Sequence, residues 1–478
     1  MGGTFDALVP MLCVTLAALA SMWAEAFRRE GDRMPIGGLG LVGLAGAAIS
    51  AVLLWDRNAE GFGVIAADNF GLFVTIVLAV VGVLTILFSS QVIRRDGLPV
   101  GEYYALVLFS IVGMIMMATA TDLLVIFVAL EILSLAVYVL TAIRRDSLPG
   151  TEAAFKYFLL GAFSSAFFLY GIAFTYGVTG STRLAAVGAS LSAQAADGNP
   201  MVLAALGLLL VGFAFKISAV PFHMWTPDAY EGAPAVVTGF MSTGVKAAAF
   251  AAFARVFLSA YGPFSDDWVP VVSAVAVATM VLGTVVGVAQ SSLKRMLAYS
   301  SIAHGGYLLV GLVAVNEVGV AAILFYLLAY SVTNLAAFGV IALLGQRDQP
   351  NDGLRDYAGL WHSHPALAAL MAVSLLSLGG LPPTAGFIGK WYIFSAAVSA
   401  GHYGLAVIGM LTSVISVFFY LRVVVMMYMA SREGAAAPAP IGRVGMAALA
   451  LSIVAIFYLG MLPTRVLDLA AASVGGMF

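Results

Sequence analysis

From Phe5 to about Phe27 the chain is almost wholly apolar, it turns polar at Arg28 and Arg29, and the same alternation recurs along its length. A helix that crosses a bilayer needs roughly 20 mostly apolar residues, and that window picks out about fourteen spans here. They lie near 5–27, 36–55, 69–92, 102–120, 122–142, 154–178, 201–227, 235–259, 268–289, 294–314, 318–344, 366–399, 404–429 and 441–462. Asp122 follows the fourth span so closely that the turn there must be tight. It falls at the start of the fifth helix, where a negative charge suits the helix dipole. Ser181 to Pro200 and Gln346 to Pro365 read as loops. The pattern predicts an all-α membrane protein that forms a single transmembrane domain.

Two spans carry internal prolines. Near 201–227 the chain reads FKISAVPFHMWTPDAYEGAP, with Pro221 and Pro227, and near 366–399 it reads LSLGGLPPTAGFIGKWY, with Pro382 and Pro383. A mid-helix proline lacks the N–H donor and clashes with the carbonyl four residues back, so Pro221 should free the carbonyl of Ile217 and Pro383 that of Gly379. Lipid cannot satisfy a freed carbonyl, so these groups must face protein or water. The interrupted spans are the seventh and the twelfth, five helices apart. Breaks at corresponding positions imply repeated halves with the functional path at the breaks. An odd number of helices per unit inverts the second copy. Residues 102–259 and 268–430 are therefore read as two inverted five-helix repeats.

Charge tests the count. Of the 22 lysines and arginines, Lys216, Lys246, Lys390 and Arg422 fall well inside spans, and the other 18 sit in loops or close to span ends. With the spans in this register, Arg28, Arg29, Arg33, Arg94, Arg95, Arg144, Arg145, Lys156, Lys294, Arg295, Arg347, Arg355, Arg432 and Arg443 share one side, and Arg57, Arg183, Arg255 and Arg465 the other, a split of 14 to 4. One missed or invented helix would scramble every later loop. Basic loops stay in the cytoplasm, so both termini are expected on the periplasmic side of a bacterial inner membrane.

Composition agrees. The chain is 62% hydrophobic and 10% charged over 478 residues, whereas soluble domains are about a quarter charged. Soluble cores stop growing at roughly 250–300 residues, so lipid must cover the excess apolar surface. A net charge of −2 gives no reason to expect nucleic acid as a partner. The single cysteine, Cys13, excludes a disulfide framework and any iron–sulfur cluster held by this chain alone. The first apolar run lacks the basic flank of a cleaved signal peptide and is expected to be retained as a span.

Against this background the buried charges stand out. Glu131 is the one mid-span acid, in FVALEILSLAVYVL. Lys216 precedes Pro221, Lys246 lies in MSTGVKAAAFAAF, His304 lies in LAYSSIAHGGYLLVG, and Lys390 follows the double proline. An ionised group at the bilayer centre costs roughly 2.5–3.5 kcal/mol, so Glu131 and three unpaired lysines would cost on the order of 10 kcal/mol. They must pair, be hydrated or deprotonate. Desolvation and a neighbouring carboxylate act on a buried lysine in opposite senses, which makes a Glu131–Lys216 pair a candidate switch. Lys246 and His304 are then candidate central relays and Lys390 a candidate exit group, since a histidine can titrate near neutral pH. Each position also has a plain structural reading. Glu131 could be a helix–helix strut, and His304 the partner of a neighbouring hydroxyl. His223 reads equally as a relay or as a polar cap beside the break. Arg422 reads as a side chain snorkelling toward the basic side, and Asp228 and Glu231 as a loop tether.

At these residues the chain resembles a known family. FKISAVPFHMWTPDAYEGAP, STGVKAAAFA and LPPTAGFIGKWY together are similar to the antiporter-like membrane subunits of respiratory complex I, the proton-pumping NADH:quinone oxidoreductase. The resemblance runs over nearly the whole chain. It implies fourteen helices with inverted repeats, a glutamate on helix five, lysines on helices seven and eight and a charged residue on helix twelve, matched here by Glu131, Lys216, Lys246 and Lys390. Lysine rather than glutamate at 390, with the YEGAP wording, favours one member of that family. The resemblance further implies a proton-translocating module with no cofactor of its own: flavin, iron–sulfur clusters and quinone would belong to partner subunits. The expected partners are other complex I membrane subunits in a hetero-oligomer, the lipid bilayer, protons and internal water. A subunit of a multisubunit sodium/proton antiporter, a stand-alone solute transporter and a structural subunit with a dead path are the alternatives. Lysine and apolar residues at the breaks disfavour solutes and bare sodium.

Overall fold

The computed structural model describes residues 2–28, 35–194, 199–345, 352–431 and 442–475. Arg29, Arg33, Arg347, Arg432 and parts of both expected loops lie outside the described residues. The first half of the chain runs α1 (Val9–Ala26), α2 (Ile36–Leu53), a small hairpin β1 (Ala59–Gly61) and β2 (Ile65–Ala67), α3 (Asn69–Asp96), α4 (Val100–Thr119), α5 (Leu123–Thr141) and α6 (Leu148–Thr179). Next come α7 (Leu184–Gln194), α8 (Pro200–Lys216), α9 (Trp225–Gly232), α10 (Ala235–Ala260) and α11 (Gly262–Val288). The chain continues through α12 (Leu293–Val313), α13 (Glu317–Leu344), α14 (Pro365–Gly379), α15 (Ala385–Ser399), α16 (Tyr403–Met429), α17 (Arg443–Met461) and α18 (Thr464–Ala472). Twelve of the described helices are long and apolar enough to cross a membrane. The seventh and twelfth expected spans are each interrupted, as α8 with α9 and as α14 with α15.

Local chemistry sets many of the ends. Asp68 caps α3 by accepting from Gly71 N at 2.8 Å, Asp122 caps α5 through Leu124 N at 2.8 Å and Val125 N at 3.3 Å, and Asn316 caps α13 through Gly319 N at 2.7 Å. Each satisfies a main-chain donor that the helix start leaves open.

The structure corrects two sequence readings. The stretch from Ser181 to Pro200 is not simply a loop: α7 lies in it, with Leu184, Val187 and Leu191 buried at helical spacing. At 11 residues it is too short for a window set by bilayer thickness. The stretch before Pro365 holds two short helical turns, Leu354–Tyr357 and Leu360–Ser363. Within this nearly all-helical chain the small β1–β2 hairpin packs beside the start of α3. Three-residue strands give no alternation long enough to read.

Three helices form the centre. Every residue in the most apolar stretch of α10 is buried, and α12 and α13 are nearly as enclosed. By contrast α1, α6, α16 and α17 turn large apolar side chains outward, among them Trp23, Phe155, Phe163, Val414 and Val454. Small residues bring neighbouring helices together. A methyl group at Gly113 of α4 would lie 2.7 Å from Leu133 N of α5, and one at Gly306 of α12 2.5 Å from Met280 Cγ of α11. This is the small-residue packing expected where no hydrophobic effect drives helices together.

Candidate functional site

The three enclosed helices carry the polar residues. On α12, Ser300, Ser301, His304 and Tyr307 are all buried, and on α13 Tyr326, Tyr330 and Asn334 follow at intervals of four and share a face. Lys246 stands on α10 directly after a π-helical turn, Met241–Val245. Such turns interrupt the regular ladder and occur often at functional positions.

Lys216 is the last residue of α8 and is 3% exposed. Its ammonium donates to Ser134 Oγ at 2.7 Å and to Tyr157 Oη at 3.4 Å. It also lies 5.5 Å from the Tyr157 ring, which stacks on Trp225 of α9 at 4.1 Å. Glu131 does not form an ion pair with it. The carboxylate instead accepts from Ser165 Oγ of α6 at 2.5 Å. The two are still neighbours through α5, because Glu131 and Ser134 are three residues apart on one helix face. Ser164, Ser165, Gly212 and Lys216 line a cavity of about 10 Å³, close to the smallest space that holds one water.

Lys246 Nζ bonds Ser301 twice, through Oγ at 2.7 Å and through the main-chain oxygen, and lies 5.6 Å from the Tyr330 ring. Gly305 leaves room beside it: a methyl group there would meet Ile217 O at 3.1 Å and Lys246 Nζ at 3.7 Å. The end of α8 and Lys246 thus approach each other across a bare glycine. His304 Nδ1 is 2.5 Å from Tyr326 Oη, and its Nε2 is 3.3 Å from Tyr420 Oη of α16, which also bonds Ser300. The Tyr307 ring bridges onward, 5.5 Å from His304 and 5.0 Å from Lys390 Nζ.

Lys390 reaches back across the break from α15. It donates to the carbonyls of Leu378 at 2.8 Å and Gly379 at 3.1 Å and to Ser413 Oγ at 2.8 Å. Pro382 and Pro383 end α14 beside it, and Gly380 takes the left-handed φ of +80° needed to leave that helix. The freed carbonyl of Gly379 therefore meets a cation. At the first break Pro221 lies exposed, and the indole of Trp225 caps Phe215 O at 3.1 Å. Among the described residues, no carboxylate lies within ion-pair distance of Lys216, Lys246 or Lys390. Tyr307 Oη, Thr284 Oγ1 and Asn334 Oδ1 are buried without a partner among the described residues.

Residues 120–416 match the family described as NADH:quinone oxidoreductase/Mrp antiporter, transmembrane. The chain belongs to this family. It is 46% identical to NADH-quinone oxidoreductase subunit N of Trichlorobacter lovleyi over 88% of this chain and 87% of that one. A chain of respiratory complex I from Thermus thermophilus, solved with bound aureothin, is 36% identical and superposes with a TM-score of 0.81 over 97% of this chain and 99% of that one. A chain of the Mrp complex from a Dietzia species superposes at 0.85 over 99% and 98% but is 22% identical, a likeness of fold alone.

In this member of the NADH:quinone oxidoreductase/Mrp antiporter family, Glu131, Lys216, Lys246, His304 and Lys390 all lie inside the matched region. The remaining charges serve as ties. Arg422 donates to Val288 O at 2.9 Å and Gln290 O at 2.7 Å, closing the end of α11. Asp228 and Glu231 hold Arg295 at 2.9 and 2.8 Å, so α9 is fastened to the start of α12. Lys294, expected at the edge of a span, is buried and donates to Glu231 O at 2.6 Å and Ala233 O at 2.8 Å. His223 lies half-buried at the first break with Nδ1 unpartnered among the described residues. The polar neighbours Ser134, Tyr157, Ser165, Ser301, Tyr326, Tyr420 and Ser413 were not singled out from sequence. Only the four-residue spacing of Tyr326, Tyr330 and Asn334 offered a signal.

Proposed function

We propose that this chain is the proton-translocating membrane-arm subunit N of a bacterial NADH:quinone oxidoreductase, and that Glu131, Lys216, Lys246, His304 and Lys390 form its proton route. The observation that carries this reading is the set of three buried lysines held only by hydroxyls and carbonyls. A neutral cradle stabilises an ammonium through hydrogen bonds but lacks a counter-charge to fix it, so small movements of Glu131 or of a helix break can shift the proton balance. Between them run tyrosine hydroxyls, serines and one imidazole, groups that both donate and accept. Orphaned polar atoms such as Tyr307 Oη suit bonds to internal water.

In this reading the two interrupted pairs complete about fourteen spans, long enough to cross the hydrocarbon layer when counted together. Residues 102–259 and 268–430 are inverted repeats around the breaks. Both termini face the periplasm across the inner membrane, by the distribution of basic loops. Flavin, iron–sulfur and quinone chemistry belongs to partner subunits, since one cysteine cannot ligate a cluster. This chain returns the energy of that chemistry as proton transfer.

Proton uptake by inverted vesicles during NADH oxidation tests the route. Lys216→Ala should leave an assembled complex with its flavin and iron–sulfur spectra but abolish or greatly reduce coupled turnover. Normal pumping in that variant removes Lys216 from the route. Purification with no flavin or iron–sulfur partner would point instead to an antiporter assembly.

A further inference from the structure

A groove that the proton route does not use opens on the outer face of α1, α4, α5 and α6. Its apolar part, a cavity of about 680 Å³, is lined by Met22, Leu106, Phe109, Val139, Phe155 and Phe158. A second cavity of about 690 Å³ shares Pro99, Glu102, Ile143 and Arg145 with the first, so the two form one groove with a charged mouth. At that mouth Arg144 is committed to Asp96. Arg145, Glu102 and Asp146 line it with no ion pair or hydrogen bond to another described side chain.

Depth and charge decide what fits. The lining runs from Glu102 to Phe109 on α4, from Tyr138 at the end of α5 through the following turn to Arg145, and from Thr151 to Phe158 on α6. At about 1.5 Å per residue the helical stretches on α4 and α6 are each roughly 10 Å long. That is about a third of the roughly 30 Å hydrocarbon thickness. A glycerol backbone with the upper parts of two acyl chains needs this much and no more. The mouth lies on the side that gathers most of the basic loops, where pockets between helices bind lipid headgroups. Here the mouth offers both signs. Arg145 suits a phosphate, in the charge-assisted geometry guanidinium favours, and Glu102 and Asp146 suit an ammonium. A purely anionic headgroup would set its charge beside two carboxylates with nothing to offer them.

We propose that this groove binds a phospholipid whose headgroup carries both a phosphate and a primary amine, of the phosphatidylethanolamine type. Tyr138 lines the deep end, and its ring lies 5.8 Å from Lys216 Nζ. Tyr138 also lines the small cavity at Lys216, so its ring is the wall between the groove and that pocket. The site does not depend on the proton route.

The test uses the intact purified complex and phosphatidylethanolamine bearing a diazirine in its upper acyl chain. Photolysis should label peptides spanning 105–109, 138–142 and 154–158. Arg145→Gln should weaken labelling on the order of tenfold, the loss expected for a charge-assisted phosphate bond. Ala142→Phe, which fills the groove from the edge of α5, should abolish it without changing NADH oxidation. Equal labelling by the matching phosphatidylglycerol probe overturns the headgroup assignment. No labelling in the groove, or chemical crosslinks there to a helix of another subunit, overturns the site.

Discussion

Lys390 Nζ lies 2.8 Å from the carbonyl oxygen of Leu378, across the break that separates α14 from α15. The same ammonium holds Gly379 O at 3.1 Å. A cation at a helix C-terminus is favoured by the dipole, and here it also satisfies carbonyls that the prolines leave without their usual donors. One residue therefore joins the two halves of the interrupted helix and is also a candidate proton carrier. Holding a proton and holding the break become a single event.

This coupling separates two substitutions. Lys390→Leu strands two buried carbonyls at about 1–3 kcal/mol each, so assembled complex should fall together with pumping. Lys390→Arg keeps donors on those oxygens but cannot release a proton in the physiological range. It should assemble normally and pump poorly, as read from complex yield on native gels and vesicle acidification. An arginine variant that pumps like wild type would remove Lys390 from the route and leave it as a cap.

Glu131 and Lys216 divide in a similar way. Glu131→Gln keeps an acceptor for Ser165 Oγ and removes the charge beside α8. Pumping should drop while assembly holds, and Glu131→Asp should recover part of the loss. If the glutamine variant matches wild type in initial pumping rate, Glu131 is a strut between α5 and α6.

The hydroxyls around His304 carry a third expectation. Tyr326→Phe removes the 2.5 Å partner of Nδ1 and leaves the 3.3 Å contact of Nε2 with Tyr420. A positioned proton-transfer group contributes roughly 100-fold or more, and Tyr420 still holds one side of the imidazole, so the pumping rate should lose part of that, on the order of tenfold, with quinone-site inhibitor binding unchanged. A wild-type rate in both Tyr326→Phe and His304→Gln would place the route elsewhere.

The charged residues were legible because hydrocarbon penalises each of them, so Glu131 and the three lysines mark themselves against an apolar background. The breaks were legible because proline removes a donor whatever the context. Their partners were not. Serine and tyrosine are tolerated in apolar helices, so Ser134, Ser301 and Tyr420 look like ordinary packing until tertiary contacts select them. That Glu131 and Lys216 make no direct contact was hidden for a related reason. Span assignment places both residues at similar depth, but side-chain rotation sends one toward Ser165 of α6 and the other toward Ser134 of α5. The hairpin escaped because its strands are too short to show a period, and α7 because its 11 residues fall below a window set by bilayer thickness.

Arg255, expected near a loop, is buried at the end of α10, where its guanidinium grips Asp68 through two bonds of 2.6 and 2.8 Å and takes Ala118 O at 3.2 Å. This fork ties the start of α3 to the central helix and to the end of α4. Burial by itself would raise the Asp68 pKa, but Arg255 and the Gly71 N–H outweigh it and hold the carboxyl below its usual 3.8. A depressed folded-state value means the pair stabilises the protein fully above the unfolded carboxylate range and loses that contribution as pH falls through the folded value. The melting difference between wild type and Asp68→Asn in detergent should therefore be constant from neutral pH down to about 5 and shrink below about 4. Arg255→Lys should recover only part of the stability, since an ammonium cannot reproduce the planar fork. A difference that grew on acidification would mean that Asp68 is held protonated at neutral pH and that the tie is not ionic.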